Sequence, residues 1–150
     1  MATTIDEKDK KILGVLEDHA DYTTRQIAKN TLLPITTIHN RIRKLKKDKV
    51  IKKFTVEVDQ NKVNKGFLVY ILISANLQIL KKKKKTQYDL AKELRGFYFV
   101  ERADIVSGGS DLVVIVRVKD VNEFDKVLLN KLQLVEGIEK TQSLIVIHEH

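Results

Sequence analysis

The chain has 150 residues, 43% of them hydrophobic and 32% charged, with a formal net charge of +8. That suffices for one average domain or two small ones and is too apolar for a disordered chain. Cysteine is absent, which excludes disulfides and thiolate metal sites, and the longest apolar run, GFLVYILISA, falls far short of the roughly 20 residues a membrane-spanning helix needs.

The opening MATTIDEKDKK is polar and lacks the apolar core of a signal peptide, so the reading is a soluble, cytoplasmic protein. Charge is spread unevenly. Residues 1–65 carry 15 Lys/Arg against 9 Asp/Glu, and residues 66–150 carry 13 against 11. The densest stretch, residues 41–53, has eight bases and one acid. A clustered excess of this kind favours a polyanionic partner, while composition alone fits a solvated lysine-rich surface about as well.

The first third reads as three helices. In IDEKDKKILGVLED the apolar residues Ile5, Ile12, Leu13 and Leu16 keep helical spacing, with Asp6, Glu7 and Asp9 in the first turn, where carboxylates suit the helix dipole. After a turn at HADY, Thr23 and Gln26 form a capping box that opens a short second helix, TTRQIAKN. The only proline, Pro34, stands just before the third helix, which runs to about Asp48.

The third helix has two faces. Ile38, Ile42 and Leu45 form an apolar stripe, whereas Thr36, Asn40, Arg43 and Lys47 lie nearly opposite, with Thr37 and Lys44 beside them. With the second helix this makes a helix-turn-helix, Ala28 at the close crossing and Ile27, Leu32, Ile38 and Ile42 in the shared core. The major groove admits one such helix. Thr36, Thr37 and Asn40 suit base edges, since Asn pairs well with adenine and the Thr methyl meets that of thymine. Arg43, Lys44 and Lys47 suit phosphates, and Arg43 also suits guanine. His39, on the flank, is divided between DNA contact and packing. Arg41, near the apolar edge, reads as a structural ion pair with Asp9.

Beyond the helices, VIKKFTVEVD reads as a connecting strand and QNKVNKG as a turn. The pattern then becomes βαββαβ, the ferredoxin-like order. GFLVYILISANL is a strand, TQYDLAKELRG a helix, FYFVERADIV and DLVVIVRVKD two strands joined by SGGS, VNEFDKVLLNKL a helix, and GIEKTQSLIVIHEH the closing strand. The lysine run 81–85 is placed in the first turn of the helix after the first strand. The class is therefore α+β, with a helix-turn-helix domain at 1–50, a connecting strand and linker at 51–65, and a ferredoxin-like domain at 66–150. Two helices cover only one face of a four-stranded sheet. The strands are apolar on both, so the second face calls for another copy of the chain.

In this order and spacing, IDEKDKKILGVL, TTRQIAKNTLLPITTIHNRIRKLKKDKVIKKF, VERADIVSGGSDLVVIVRV and VEGIEKTQSLIVI resemble the Lrp/AsnC family of transcriptional regulators over nearly the whole chain. The resemblance implies double-stranded DNA as partner and pseudo-palindromic promoter sites. It also implies dimers paired through the C-terminal sheets and higher assembly, often octamers, whose interfaces can hold an amino acid. It places that effector at the loop Ser107 to Asp111, with Gly108 and Gly109 offering N–H groups to a carboxylate, Asp111 facing the ammonium, and Thr141 and Ser143 opposite. The plainer reading is that SGGSD only turns a hairpin. Three residues depart from the family pattern. Leu32 and Lys49 stand where glycine is usual, and Pro34 where serine caps the third helix; Asn64 at another glycine position is benign.

Other classes fit less well. No nucleophile–base constellation, cofactor motif or metal cluster stands out. His148 and His150 point the same way from a strand without a third ligand, so an enzyme is not expected. An RNA-binding sheet needs stacking aromatics, which DLVVIVRV lacks. The remaining alternative is a metabolite-sensing oligomer without specific DNA binding, and the basic helix counts against it.

Overall fold

The computed structural model describes residues 4–150 and divides into two compact units, one extending to Glu57 and one beginning at Val58. The expectation of no signal segment rests partly on residues 1–3, which lie outside the described residues.

The first unit holds α1 (Glu7–Asp18), α2 (Thr24–Thr31) and α3 (Ile35–Lys47). Reciprocal caps begin the first two. The Asp6 carboxylate accepts from the Asp9 N–H at 2.9 Å while the Asp9 carboxylate accepts from the Asp6 N–H at 3.1 Å. Thr23 and Gln26 make the corresponding pair at 3.2 and 2.8 Å, as their spacing predicts. Helix α3 has Pro34 as its N-cap and no side-chain cap. Ile12, Leu16, Ile27 and Ile38 are buried together, with Tyr22, Ala28, Leu33, Ile42 and Ile51 packed against them.

Leu32 does not join that core. It takes the left-handed conformation (φ 56°) at the end of α2, which turns its side chain outward to 89% exposure, and Leu33 packs inward instead. Lys49 (φ 56°) and Asn64 (φ 57°) are also left-handed, so all three residues standing at glycine positions keep the glycine-like turn. Residues 50–59 form no strand, against expectation. A strand exists by virtue of a ladder partner, and the sheet of this chain offers no ladder to this segment.

The second unit is a four-stranded antiparallel sheet in the order β2-β3-β1-β4, built from β1 (Phe67–Ala75), β2 (Val100–Ile105), β3 (Leu112–Val118) and β4 (Ile138–Ile145). Its helices are α4 (Leu77–Lys82), α5 (Gln87–Arg95) and α6 (Val121–Asn130), followed by a 3₁₀ turn at Leu132–Leu134. Register assigns the faces. Val69, Ile71 and Ile73 pair with Val116, Val114 and Leu112, and these pack against Leu90 and Leu94 of α5 and Phe124 and Val127 of α6. Tyr70 and Leu72 pair with Ile115 and Val113 on the opposite face, which no helix of the unit covers. Tyr70 is 39% and Leu144 43% exposed there.

Two further details differ from expectation. The lysine run lies not in the first turn of α5 but at the end of α4, an extra short helix whose last turn contains Lys81 and Lys82, and in the turn that follows it. Cations at a C-terminus suit the helix dipole, whereas a first turn repels them. The strand expected from Phe97 begins only at Val100, because Phe99 turns into the core at 1% exposure.

Candidate nucleic-acid interface

Helix α3 carries Arg41, Arg43, Lys44, Lys46 and Lys47 and no acid. Its apolar stripe is held in the core by Ile38 at 0% and Leu45 at 2% exposure. The opposite stripe is then necessarily outward. Thr36, His39, Asn40, Arg43, Lys44 and Lys47 are exposed and Thr37 is half-buried. Spaced four, three and four residues apart, Thr36, Asn40, Arg43 and Lys47 extend about 16 Å along one side of the helix. The polar, uncharged groups occupy the N-terminal half and the bases the C-terminal half.

Among the described residues, Arg43, Lys44, Lys46 and Lys47 enter no ion pair, and only Arg41 of the helix is neutralised within the chain. The Arg41 guanidinium lies 3.0 Å from Asp9, the expected partner, and 2.7 Å from Asp6, which sequence reading missed. The signal was present, because the reciprocal cap at Asp6 and Asp9 turns both carboxylates to one side. The Arg41 hydrogen bond, helped by the Asp9 backbone N–H, holds the Asp6 carboxyl down at about 2. This ion pair fixes α3 against the start of α1.

His39 lines a shallow groove with Arg43, Lys46 and Thr24, the first residue of α2. Lys46, read from sequence as non-specific, thus stands beside the stripe, its ammonium 5.6 Å from the centre of the Phe54 ring.

The loop residues are less convergent. Gly108, with φ 140°, and Gly109 are exposed between β2 and β3. The Asp111 carboxylate is already engaged, accepting from the Ala75 N–H at 2.7 Å and from the Gln87 side chain at 3.3 Å. It therefore secures the end of β1, where the register with β4 shifts. Thr141 and Ser143 pair with Ile73 and Ile71 and lie on the helix-covered side. The Thr141 hydroxyl accepts from Gln133 at 3.1 Å. β4 and β3 flank β1 on opposite sides, so these residues are about 10 Å from the start of β3, two strand spacings away. At the C-terminus the rings of His148 and His150 meet edge to face at 4.7 Å.

Sequence profiles agree with both units. The winged helix-turn-helix DNA-binding profile matches residues 5–52, and the Lrp/AsnC ligand binding domain profile matches residues 69–150. HTH-type transcriptional regulator FL11 of Pyrococcus horikoshii is 33% identical, with 100% of this chain and 94% of that protein aligned. Among solved structures, Escherichia coli AsnC superposes with a TM-score of 0.82 at 26% identity, covering 98% of this chain and 95% of its own. A transcriptional regulator from Neisseria meningitidis, in complex with L-Met, shares the fold with a TM-score of 0.87 at 23% identity, covering 97% and 92%.

Proposed function

The chain belongs to the Lrp/AsnC family of DNA-binding transcriptional regulators, and from that premise we propose that a dimer inserts its two α3 helices into successive major grooves of a pseudo-palindromic promoter site. Thr36, Thr37 and Asn40 read base edges there, while Arg43, Lys44 and Lys47 hold phosphates, Arg43 being suited to guanine as well, and His39 contacts the groove wall. The observation that carries this reading is the bare basic stripe of α3, kept outward by burial of Ile38 and Leu45. Such a protein acts where the DNA is, which supports a cytoplasmic location. No catalytic role is assigned to any residue.

The apolar sheet face supports pairing of two copies through Tyr70, Leu72, Val113, Ile115 and Leu144. Dimers then assemble further, up to octamers. The effector is an amino acid, bound where dimers meet: the N–H groups of Gly108 and Gly109 take its carboxylate and Asp111 its ammonium, whereas Thr141 and Ser143, two strands away, are left out of the site. The ligand-binding character of the matched profile supports this.

Binding measured over a salt series tests the DNA reading. Affinity falls with a log–log slope of about 0.9 per phosphate neutralised, and a salt-independent affinity would contradict it. For the effector, Asp111→Asn keeps an acceptor for the Ala75 N–H and removes the charge. It abolishes any amino-acid-dependent change in assembly, and an unaltered response would remove Asp111 from the site.

A further inference from the structure

The α3 interface leaves a second concentration of positive charge without a role. Lys81 to Lys85 are five consecutive lysines, and residues 76–86 contain no acid. They are also the only reason the C-terminal part of the chain is basic. Residues 66–150 carry a net +2 with the run and −3 without it. A positive spot on an otherwise acidic surface localises any contact with a polyanion to that spot.

The run is presented in a defined way. The N–H of Lys84 donates to the Lys81 carbonyl at 3.1 Å and that of Lys85 to the Leu80 carbonyl at 2.9 Å, which closes α4 in a Schellman turn. The residue at the left-handed position of that turn is ordinarily glycine, and here it is Lys84 with φ 53°. A charged side chain thus stands at a place where it is conformationally unfavourable. Lys83 and Lys85 are tied down, by Glu136 at 3.6 Å and Glu93 at 3.4 Å. Lys81, Lys82 and Lys84 are exposed and enter no ion pair among the described residues. Two lysines are therefore paired with acids and three are left without a partner among the described residues.

We propose that Lys81, Lys82 and Lys84 form a second DNA contact on the C-terminal unit, which takes the phosphate backbone of duplex flanking the site read by α3. Three surface lysines alone bind a duplex weakly. A chain already held on DNA by α3, however, meets the flanking segment at an effective concentration in the millimolar range, roughly, so a weak contact adds to the whole. DNA is favoured over other polyanions because the chain is already bound to it. The contact carries no base specificity, since lysine ammonium groups see only phosphate here.

This rests on the DNA-binding reading, and the test separates the two. The full-length protein is titrated, over a salt series, against a duplex that ends at the selected site and against one extended by several helical turns on both sides. The wild type shows a steeper salt dependence on the long duplex. The variant Lys81→Gln, Lys82→Gln, Lys84→Gly reduces that slope by up to about three per protomer, about five for a dimer engaged on both flanks, and leaves the short duplex unaffected. Its fold is safe because glycine relieves the left-handed strain, so its melting temperature is maintained or raised. Lys83→Gln with Lys85→Gln, which removes the two lysines already paired with Glu136 and Glu93, serves as the contrast and keeps most of the slope difference between the duplexes; a loss as large as that of the first variant overturns the assignment to Lys81, Lys82 and Lys84. Equal wild-type slopes on the two duplexes overturn the proposal. So does a variant that retains the difference, or one that weakens both duplexes alike. A protein whose extra salt dependence appears only with added single-stranded RNA overturns it too. Failure of the wild type to bind either duplex strikes the α3 reading itself and takes this contact with it.

Discussion

Leu32, Lys49 and Lys84 each hold a left-handed backbone without being glycine or asparagine. Each position ends a helix, where a sharp reversal matters more than the local preference of the residue. Leu32→Gly is expected to stabilise the first unit by about 1 kcal/mol, because an exposed leucine loses little packing; a thermal melt reads it directly. The sequence marked Leu32, Lys49 and Asn64 as places where glycine is usual but left open whether leucine and lysine keep the turn, and the turn at Lys84 was not legible in it. Nor was the outward direction of the Leu32 side chain. Its apolar character argued for the core, but the left-handed φ decides where Cβ points. The Arg41 pair adds a pH dependence. Asp6 gives up its proton more readily in the folded state than in the unfolded chain, whose carboxyl sits near 3.8. Its pairing therefore stabilises above that value and is lost as the pH falls toward about 2. Arg41→Gln is expected to lower stability near neutrality, with the gap from wild type closing between these two values. A gap that stays constant would show that the pair contributes nothing through Asp6.

The proposed function divides helix α3 into a reading half and a holding half, and variants separate them. Asn40→Ala is expected to relax preference at one base position by about 1–3 kcal/mol, whereas Lys47→Ala weakens all sequences alike and flattens the salt slope by about 1. Identical behaviour of the two in a binding titration against mutated sites would dissolve that division. The helix itself was plain in the sequence, because its apolar and basic stripes alternate at helical spacing and its start and partner helix are marked by Pro34 and the Thr23–Gln26 box. The segment 50–59 was misjudged for an instructive reason. Alternation of apolar residues shows that a stretch can be a strand, but only a neighbour with free backbone groups makes it one. Helix α4 was missed because its six residues are too few for periodicity to register. The Asp111 carboxylate is the corresponding case in the candidate effector site, for its partner Gln87 lies on α5, far away in sequence, and no local pattern announces the contact.

For the molecule as a whole, the sheet face bearing Tyr70, Leu72, Val113 and Ile115 is the organising feature. Its apolar residues alternate with a fully buried set along the same strands, so two-sided hydrophobicity in the sequence already called for a second layer. The helices supply one, and the proposed partner copy supplies the other. Burying a leucine side chain is worth about 1.5–3 kcal/mol. Leu72→Asp on that face is thus expected to shift the protein to monomer in sedimentation equilibrium while α3 remains folded. Because two half-sites are then no longer bound by one particle, affinity for a full site drops toward that for a half-site. A stable dimer in this variant would move the interface elsewhere. The most direct test of the account is selection of bound fragments from random duplex DNA by the full-length protein at near-physiological salt. The account predicts an enriched sequence with dyad symmetry whose half-sites are centred about 34 Å apart, one helical turn. Enrichment of a single asymmetric element, or of no sequence at all, would contradict it.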